Sequence, residues 1–366
     1  MELKSFDFSK KIAHHPKHFY NVRDGNRPFP VTIEVDLTNH CNHRCSFCVW
    51  GEHINTDKST LDTEVIKKAI NGMGNLGSKA ITFTGGGESM IHKNFYEIIE
   101  YTKKNNFDVG LITNGSVIVE KKCSFLLDTC DWIRFSISGG DKESYFAVQG
   151  KDHFDLVSKN IKMLCDYKTK NKAKTKVGLR MLITKENLYT LVKLVSLHKN
   201  TEGIDYIQIA PDHMSTDEGK FWNGNAVQSE IAAAKKILEA STIDLITSGF
   251  EILSTSKLNH EKLINIPQKC YAHFYQMAIM ADGNVAFCKN ARFNPEYQIG
   301  NINDNSINEI WNAQKSKDLE KWINPSNCGL TCKNIRVNLG VQATLDDVKL
   351  LDDPKVDKSI DPNFVG

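Results

Sequence analysis

The sequence predicts an α/β chain: six strand–helix units forming a partial, open barrel of parallel strands, followed by a small C-terminal domain organised by cysteines. Three observations carry this expectation. Up to residue 210, short runs with strand periodicity alternate with longer stretches of helical periodicity. Strands joined by helical crossovers run parallel, with the helices outside. Past Pro211 the alternation stops. Finally, Cys41, Cys45 and Cys48 crowd together near the start, while Cys270, Cys288, Cys328 and Cys332 fall in the last quarter.

The elements follow in order. Residues 31–37 alternate strictly, with Val31, Ile33, Val35 and Leu37 on one face. Leu61, Val65, Ile66, Ala69, Ile70 and Met73 recur at helical spacing. Thr60 reads as the N-cap there, with Asp62 and Glu64 complementing the dipole of the first turn. Strands are then expected at 79–84, 109–113, 132–138, 177–184 and 204–210, with helices at 95–104, 119–128, 155–167 and 188–198. No solenoid-type repeat is visible. A polar loop at 212–225 precedes one helix at 229–240, and short strands at 277–280 and 284–287 flank the turn Asp282-Gly283. The chain thus divides into an N-terminal arm (1–30), a barrel (31–215), a linker with a helical segment (216–265), a cysteine domain (266–335) and a tail (336–366).

Composition excludes several functions. The chain has 366 residues, 40% hydrophobic and 25% charged, which is ordinary for a globular protein. Lys plus Arg number 46 against 44 Asp plus Glu, so no global attraction to nucleic acid or an anionic membrane is expected. The lysine-rich stretch 168–176 holds no aromatic on which a base could stack and reads as a solvated loop. His14, His15 and His18 read as part of an exposed arm. No apolar run approaches the ~18 residues of a membrane span, and the first residues lack a secretory apolar core. A cytoplasmic protein with neither a membrane nor a nucleic-acid partner is expected. In a reducing compartment cysteines serve as metal ligands, catalytic thiols or core residues. Cys123, Cys130 and Cys165, on helices and strands, read as core; the two clusters imply two separate sites.

Strand parity gives the barrel an inside. Ile33, Val35, Ile81, Phe83, Ile133, Phe135, Met181, Ile183, Ile207 and Ile209 share the parity that must face the helices. The opposite parity places Glu34, Asp36, Thr82, Thr84, Arg134, Ser136, Ser138, Arg180, Tyr206 and Gln208 in the lumen. A packed barrel core carries branched apolar residues there, so this lumen suits a ligand. Glu34, Asp36, Arg134, Tyr206 and Gln208 are the candidates for substrate contact or catalysis. Internal pairing of Arg134 and Arg180 with Glu34 and Asp36 is the competing expectation.

The spacing C-x-x-x-C-x-x-C at Cys41, Cys45 and Cys48 follows the first strand directly. Three thiolates can hold three irons of a [4Fe–4S] cube and leave the fourth iron open to a ligand. A zinc site completed by His40 or His43 is the alternative that spacing leaves open. The loop, with Phe47 before its last cysteine, resembles that of the radical S-adenosylmethionine (SAM) enzymes. So does Thr84-Gly85-Gly86-Gly87-Glu88-Ser89 after the second strand, which is similar to the Gly-Gly-Glu-Pro element of that family. Glycines let the backbone approach a ligand closely, and a carboxylate meets an ammonium. Here Ser89 replaces the proline and there is one extra glycine.

The resemblance covers roughly residues 30–210 and implies a partial (β/α)6 TIM-like barrel. It further implies a [4Fe–4S] cluster on Cys41, Cys45 and Cys48 with SAM bound at the open iron. Cofactor contacts would come from Phe47, Gly86, Gly87 and Glu88, from Ser136 to the SAM ribose and from Arg180 to its carboxylate. Reductive cleavage of SAM would yield a 5′-deoxyadenosyl radical that takes hydrogen from substrate, with a flavodoxin- or ferredoxin-type protein as electron donor.

Cys270, the Gly283–Cys288 spacing, the link 301–311 and the pair Cys328 and Cys332 resemble the SPASM/twitch extensions of the same enzymes. Four cysteines fit the shorter, twitch-like Fe–S domain with one auxiliary [4Fe–4S] cluster; zinc is the structural alternative. Four protein ligands leave no open iron, which argues for electron transfer. The expected activity is that of an oxygen-sensitive radical SAM oxidoreductase acting on a small polar metabolite, sugar- or cyclitol-like. It would oxidise that substrate by two electrons through the auxiliary cluster. A peptide- or protein-modifying maturase and a redox-neutral epimerase or dehydratase are the alternatives. The thirty or so residues before the first strand are too few to form a separate peptide-recognition domain.

Overall fold

Among the described residues the central sheet holds eight parallel strands, rather than six, with two antiparallel strands at one edge. The computed structural model describes residues 11–51, 56–212, 225–247, 269–323, 332 and 334–346. The strands are β1 (Thr32–Asp36), β2 (Ala80–Thr84), β3 (Asp108–Thr113), β4 (Trp132–Ser136), β5 (Lys176–Ile183), β6 (Tyr206–Pro211), β7 (Asp244–Thr247), β8 (Gln276–Ile279), β9 (Asn284–Ala286) and β10 (Gln298–Asn301). Their spatial order is β10-β9-β8-β1-β2-β3-β4-β5-β6-β7. From β8 to β7 every neighbouring pair is parallel, while β9 and β10 complete the sheet antiparallel. The architecture is a partial TIM-type barrel with a C-terminal domain continuing from its first edge.

The stretch read as a linker supplies β7, which extends the sheet beyond β6 in register, Tyr206 opposite Asp244. The cysteine domain likewise begins with a barrel strand: β8 lies parallel to β1, Thr32 opposite Gln276 and Val35 opposite Ile279. Neither pairing has a local sequence signature, because each depends on which edge is free once the six central strands have assembled.

The helices cover the outward parity. They are α1 (Pro16–Arg23), α2 (Thr63–Asn75), α3 (Phe95–Lys104), α4 (Cys123–Thr129), α5 (Lys142–Gln149), α6 (Phe154–Asn171), α7 (Leu191–His198), α8 (Asn225–Leu238), α9 (Ile307–Asn312), α10 (Gln314–Trp322) and α11 (Ile335–Asp346). Ile33, Val35, Ile81, Phe83, Ile133, Phe135, Met181, Ile183, Ile207 and Ile209 are all fully buried, as are Cys123 and Cys165, with Cys130 nearly so. Among the described residues no helix is long and apolar enough to cross a membrane.

Five local points are corrected. Asp62, not Thr60, caps α2: its carboxylate accepts the Glu64 and Val65 N–H groups at 2.9 and 3.2 Å, while the Thr60 hydroxyl bonds that of Thr38 at 2.8 Å. The lysine-rich stretch is not all loop, since α6 continues to Asn171 and Lys168 reaches the Gly203 carbonyl at 2.8 Å and the Asp205 carboxylate. α5, unforeseen, begins with a capping box between Asp141 and Ser144. The N-terminal arm is not an exposed appendage: Phe19 is buried, and the His18 ring Nε2 bonds the Phe274 carbonyl at 2.7 Å. The tail too begins as structure, with α11 packing its Val337 and Val341 into the core.

Candidate functional site

The C-terminal ends of the central strands open onto a cavity of about 230 Å³. Its lining joins Cys41, Cys45, Phe47 and Cys48 to Gly85, Gly86, Gly87 and Glu88, and adds Ser136 and Arg180. Two motifs about forty residues apart are thus brought to one place, together with the Ser136 and Arg180 expected from strand parity. Thr84, Ile112, Asn114 and Leu182, also in the lining, obey the same parity.

Main-chain bonds hold the cysteine loop. The Arg44 and Ser46 N–H groups donate to the Gln149 and Val148 carbonyls at 3.1 and 2.8 Å, tying the loop to the end of α5. The Arg44 guanidinium folds back onto the Cys41 and His43 carbonyls at 2.8 and 2.7 Å. The Glu88 N–H donates to the His40 carbonyl at 2.8 Å, fastening the glycine run against the loop. A Cβ at Gly87 would strike that His40 carbonyl, and one at Gly85, where φ is +131°, would strike Asp36. Glycine is required at both positions by close approach.

Glu88 is buried and oriented. Its Oε1 accepts the Thr113 hydroxyl at 2.9 Å and the Met90 N–H at 3.2 Å, and its Oε2 accepts the Asn114 N–H at 2.7 Å. Burial pushes its carboxyl up, against the pull of those donors. A carboxylate offers about four acceptor sites, so one remains for a cation in the cavity. Thr113 and Asn114, the residues that aim it, were missed; the turn dipeptide Asn114-Gly115 after the third strand was their only signal.

Among the described residues, the buried Arg180 Nε has no hydrogen-bond partner. Burial, and then the like charge of Arg134, lower its guanidinium to about 9. A cation held at such cost on a cavity wall suits an anionic ligand group. Arg134 lies deeper, 3.3 Å from the Gln208 Oε1, and the Tyr206 ring lies over Gly178, where a Cβ would strike it.

The competing expectation, pairing of Glu34 and Asp36 with Arg134 and Arg180, is corrected: the ion pairs of both carboxylates go elsewhere. The partners are Lys289 and Arg292, from the segment following Cys288. Arg292 binds Asp36 bidentately at 2.7 Å for each oxygen and also contacts Glu34; Lys289 meets Glu34 at 3.0 Å. Burial would raise the Glu34 carboxyl, but the two cations bring it down to about 2. Burial raises Asp36, opposed by Arg292. These two carboxylates therefore dock the C-terminal region onto β1 and are spent as catalytic candidates. Arg292 also lies over the Trp50 ring at 4.9 Å, just past Cys48.

In the second cysteine group, Cys270 is buried, and burial followed by the proximity of Cys288 pushes its thiol up to about 12, with Cys332 adding to the effect. Cys328 lies outside the described residues. In the first group burial likewise raises Cys41, to about 11, and also Cys45 and Cys48. Thiols raised in this way are poor free nucleophiles, whereas a metal deprotonates a coordinated thiol outright. Among the described residues no three His, Cys, Asp or Glu side chains are gathered around one point as a single ion requires. The donor set, the glycine cradle and the partnerless Arg180 Nε fit a cluster with a zwitterionic ligand.

Comparison with known proteins agrees. Residues 35–198 match the model of the radical SAM superfamily, and residues 270–333 match that of the SPASM iron–sulfur cluster-binding domain. The GTP 3′,8-cyclase of Chlorobaculum tepidum is 26% identical over 214 residues, 57% of this chain and 63% of the cyclase. A tungsten-containing aldehyde ferredoxin oxidoreductase cofactor-modifying protein of Pyrococcus furiosus is 24% identical over 181 residues, 49% of this chain and 50% of that protein. The matched stretches thus span less than two thirds of the length of these relatives. Among solved structures, Streptococcus suis SuiB bound to SAM superposes with a TM-score of 0.65 at 16% identity, covering 88% of this chain and 75% of SuiB. The protein anSMEcpe with bound SAM gives 0.57 at 19% identity, covering 84% and 88%. These likenesses are of fold. The two domains, in this order, imply a SAM-binding [4Fe–4S] cluster and an auxiliary iron–sulfur cluster, and the chain carries a radical SAM domain followed by a C-terminal SPASM-type domain.

Proposed function

We propose that the cavity is the SAM site, that Cys41, Cys45 and Cys48 hold its cluster, and that hydrogen is taken from a small polar substrate lying in the barrel lumen. The observation that carries this reading is the convergence of three thiols, the Gly86-Gly87-Glu88 cradle and the Arg180 cation on one cavity. When bound, the cluster and SAM supply a one-electron reduction and a radical that abstracts hydrogen. The residues of the chain bind and orient. Glu88 offers its remaining acceptor site to the SAM ammonium, Arg180 meets the carboxylate, and Ser136 faces the ribose. Phe47 and the apolar lining exclude water. Arg134, Tyr206 and Gln208 are left to contact substrate, since Glu34 and Asp36 are engaged by Lys289 and Arg292.

Cys270, Cys288, Cys328 and Cys332 would hold the auxiliary cluster and accept an electron, making the product two electrons more oxidised than the substrate. The test is anaerobic: reconstituted protein with a reductant and SAM should release 5′-deoxyadenosine, and Arg134→Ala should impair substrate turnover while sparing uncoupled SAM cleavage. A variant that instead loses SAM binding would move Arg134 to the cofactor. A second reading, modification of a peptide, draws support from the precursor peptide bound to SuiB. Oxidised peptide in place of an oxidised metabolite would select it, and a product at the oxidation level of the substrate would select a redox-neutral isomerisation or elimination.

A further inference from the structure

Two asparagine amides face cysteine sulfur in the C-terminal site. Asn338, on α11, and Asn334, just before its first turn, lie four residues apart and hence on one helix face. Both are nearly inaccessible, 1% and 3% exposed. The Asn338 Oδ1 accepts the Tyr271 and Ala272 N–H groups at 2.7 and 2.9 Å. With the oxygen engaged by two main-chain donors, the amide cannot flip, and its Nδ2 is turned to the Cys270 Sγ, 3.8 Å away. The Asn334 Nδ2 lies 4.0 Å from the Cys288 Sγ. An amide aimed at a neutral thiol makes only a weak bond, but one aimed at a metal-bound thiolate is charge-assisted.

We propose that Asn338 and Asn334 are positioning residues that donate to the cysteine sulfurs of the auxiliary cluster and raise its reduction potential. The proposal rests on the reading that Cys270 and Cys288 are ligands of that cluster. Reduction adds one electron to the cluster, with no bond made or broken. N–H donors to sulfur stabilise the more negative, reduced form, so the potential rises with each donor. The fixed amides thereby favour the cluster as an acceptor.

The test uses the full chain carrying Cys41→Ala, Cys45→Ala and Cys48→Ala, reconstituted anaerobically, so that only the auxiliary cluster is read. Its midpoint potential is measured by an EPR-monitored titration with dithionite and mediators. Asn338→Asp keeps an oxygen for Tyr271 and Ala272 while removing the donor; Asn338→Leu removes the donor without adding charge. Both should lower the reduced-to-oxidised ratio at fixed potential about tenfold, about 59 mV for one electron, and Asn334→Leu should lower it in the same direction. An unchanged potential at full cluster occupancy overturns the proposal alone. So does a fall in Asn338→Asp with none in either leucine variant, which would reflect added charge. If the Asn338 variants lose iron, Asn334→Leu decides by the same reading. A parent variant without any iron overturns the ligand assignment, and the proposal with it.

Discussion

The loop carrying Cys41, Cys45 and Cys48 is held by main chain, through Arg44, Ser46 and Glu88 N–H groups bonded to carbonyls of α5 and of the loop itself, and its thiols line an open cavity. The group at Cys270, Cys288 and Cys332 is instead attended by side-chain amides on α11 and just before it, with Cys270 buried. The first arrangement leaves room beside the thiols for a ligand and holds the loop by bonds that tolerate side-chain change. In the second, among the described residues, a side-chain amide lies beside each of two sulfurs. A site that must bind and release a small molecule is built the first way; one that only exchanges electrons is served by the second.

Substitution can break this contrast. Replacing Cys41, Cys45 and Cys48 with alanine should abolish SAM cleavage and leave about four of about eight irons in anaerobically reconstituted protein. Loss of all iron would show that the two sites are not independent. Next in size, Arg292→Met removes the cation between Glu34 and Asp36, and breaking such a buried pair costs about 3–5 kcal/mol. Urea titration should show the loss, and an unchanged midpoint would mean that the dock contributes nothing to stability.

Glu88→Gln should weaken SAM binding by about 1.5–3 kcal/mol, the value of a hydrogen bond to a charged group, with both clusters retained. Equilibrium binding of SAM measures this, and unchanged affinity would remove Glu88 from the cofactor site. A further effect concerns pH. The Glu34 carboxyl is lowered from 4.5 to about 2 in the folded protein. Its stabilisation is therefore complete above its ordinary value and lost as pH falls through about 2. Glu34→Gln should flatten the acid limb of stability measured between those values.

Most of the barrel was legible because its signals are local. Strict alternation at 31–37 marks a strand, and the parity of Ser136 and Arg180 put both on the cavity wall before any neighbour was known. The cysteine loop was legible because three ligands fall within eight residues. What could not be read depends on long-range contact. Arg292 is 256 residues from Asp36, and nothing in Lys289-Asn290-Ala291-Arg292 announces a carboxylate partner. The sequence therefore left Glu34 and Asp36 facing the lumen arginines. Nothing in the sequence singles out Asn334 or Asn338, and only the fold brings them to Cys288 and Cys270. The cap of α2 was misplaced by two residues because Thr60 and Asp62 are both good caps, and the bond to Thr38 decides between them.

The parallel pairing of β8 with β1 has a consequence for how the molecule is made. β1 emerges early in synthesis yet lies in the interior of the finished sheet, and its second neighbour is translated long after it. Until 276–279 arrive, the strand leading into Cys41 presents an edge of unpaired N–H and C=O groups, the kind that recruits other chains. Parallel pairing across so long a loop is also slow. Pairing with β8 thus covers the β1 edge, which a chain ending before β8 would leave unpaired.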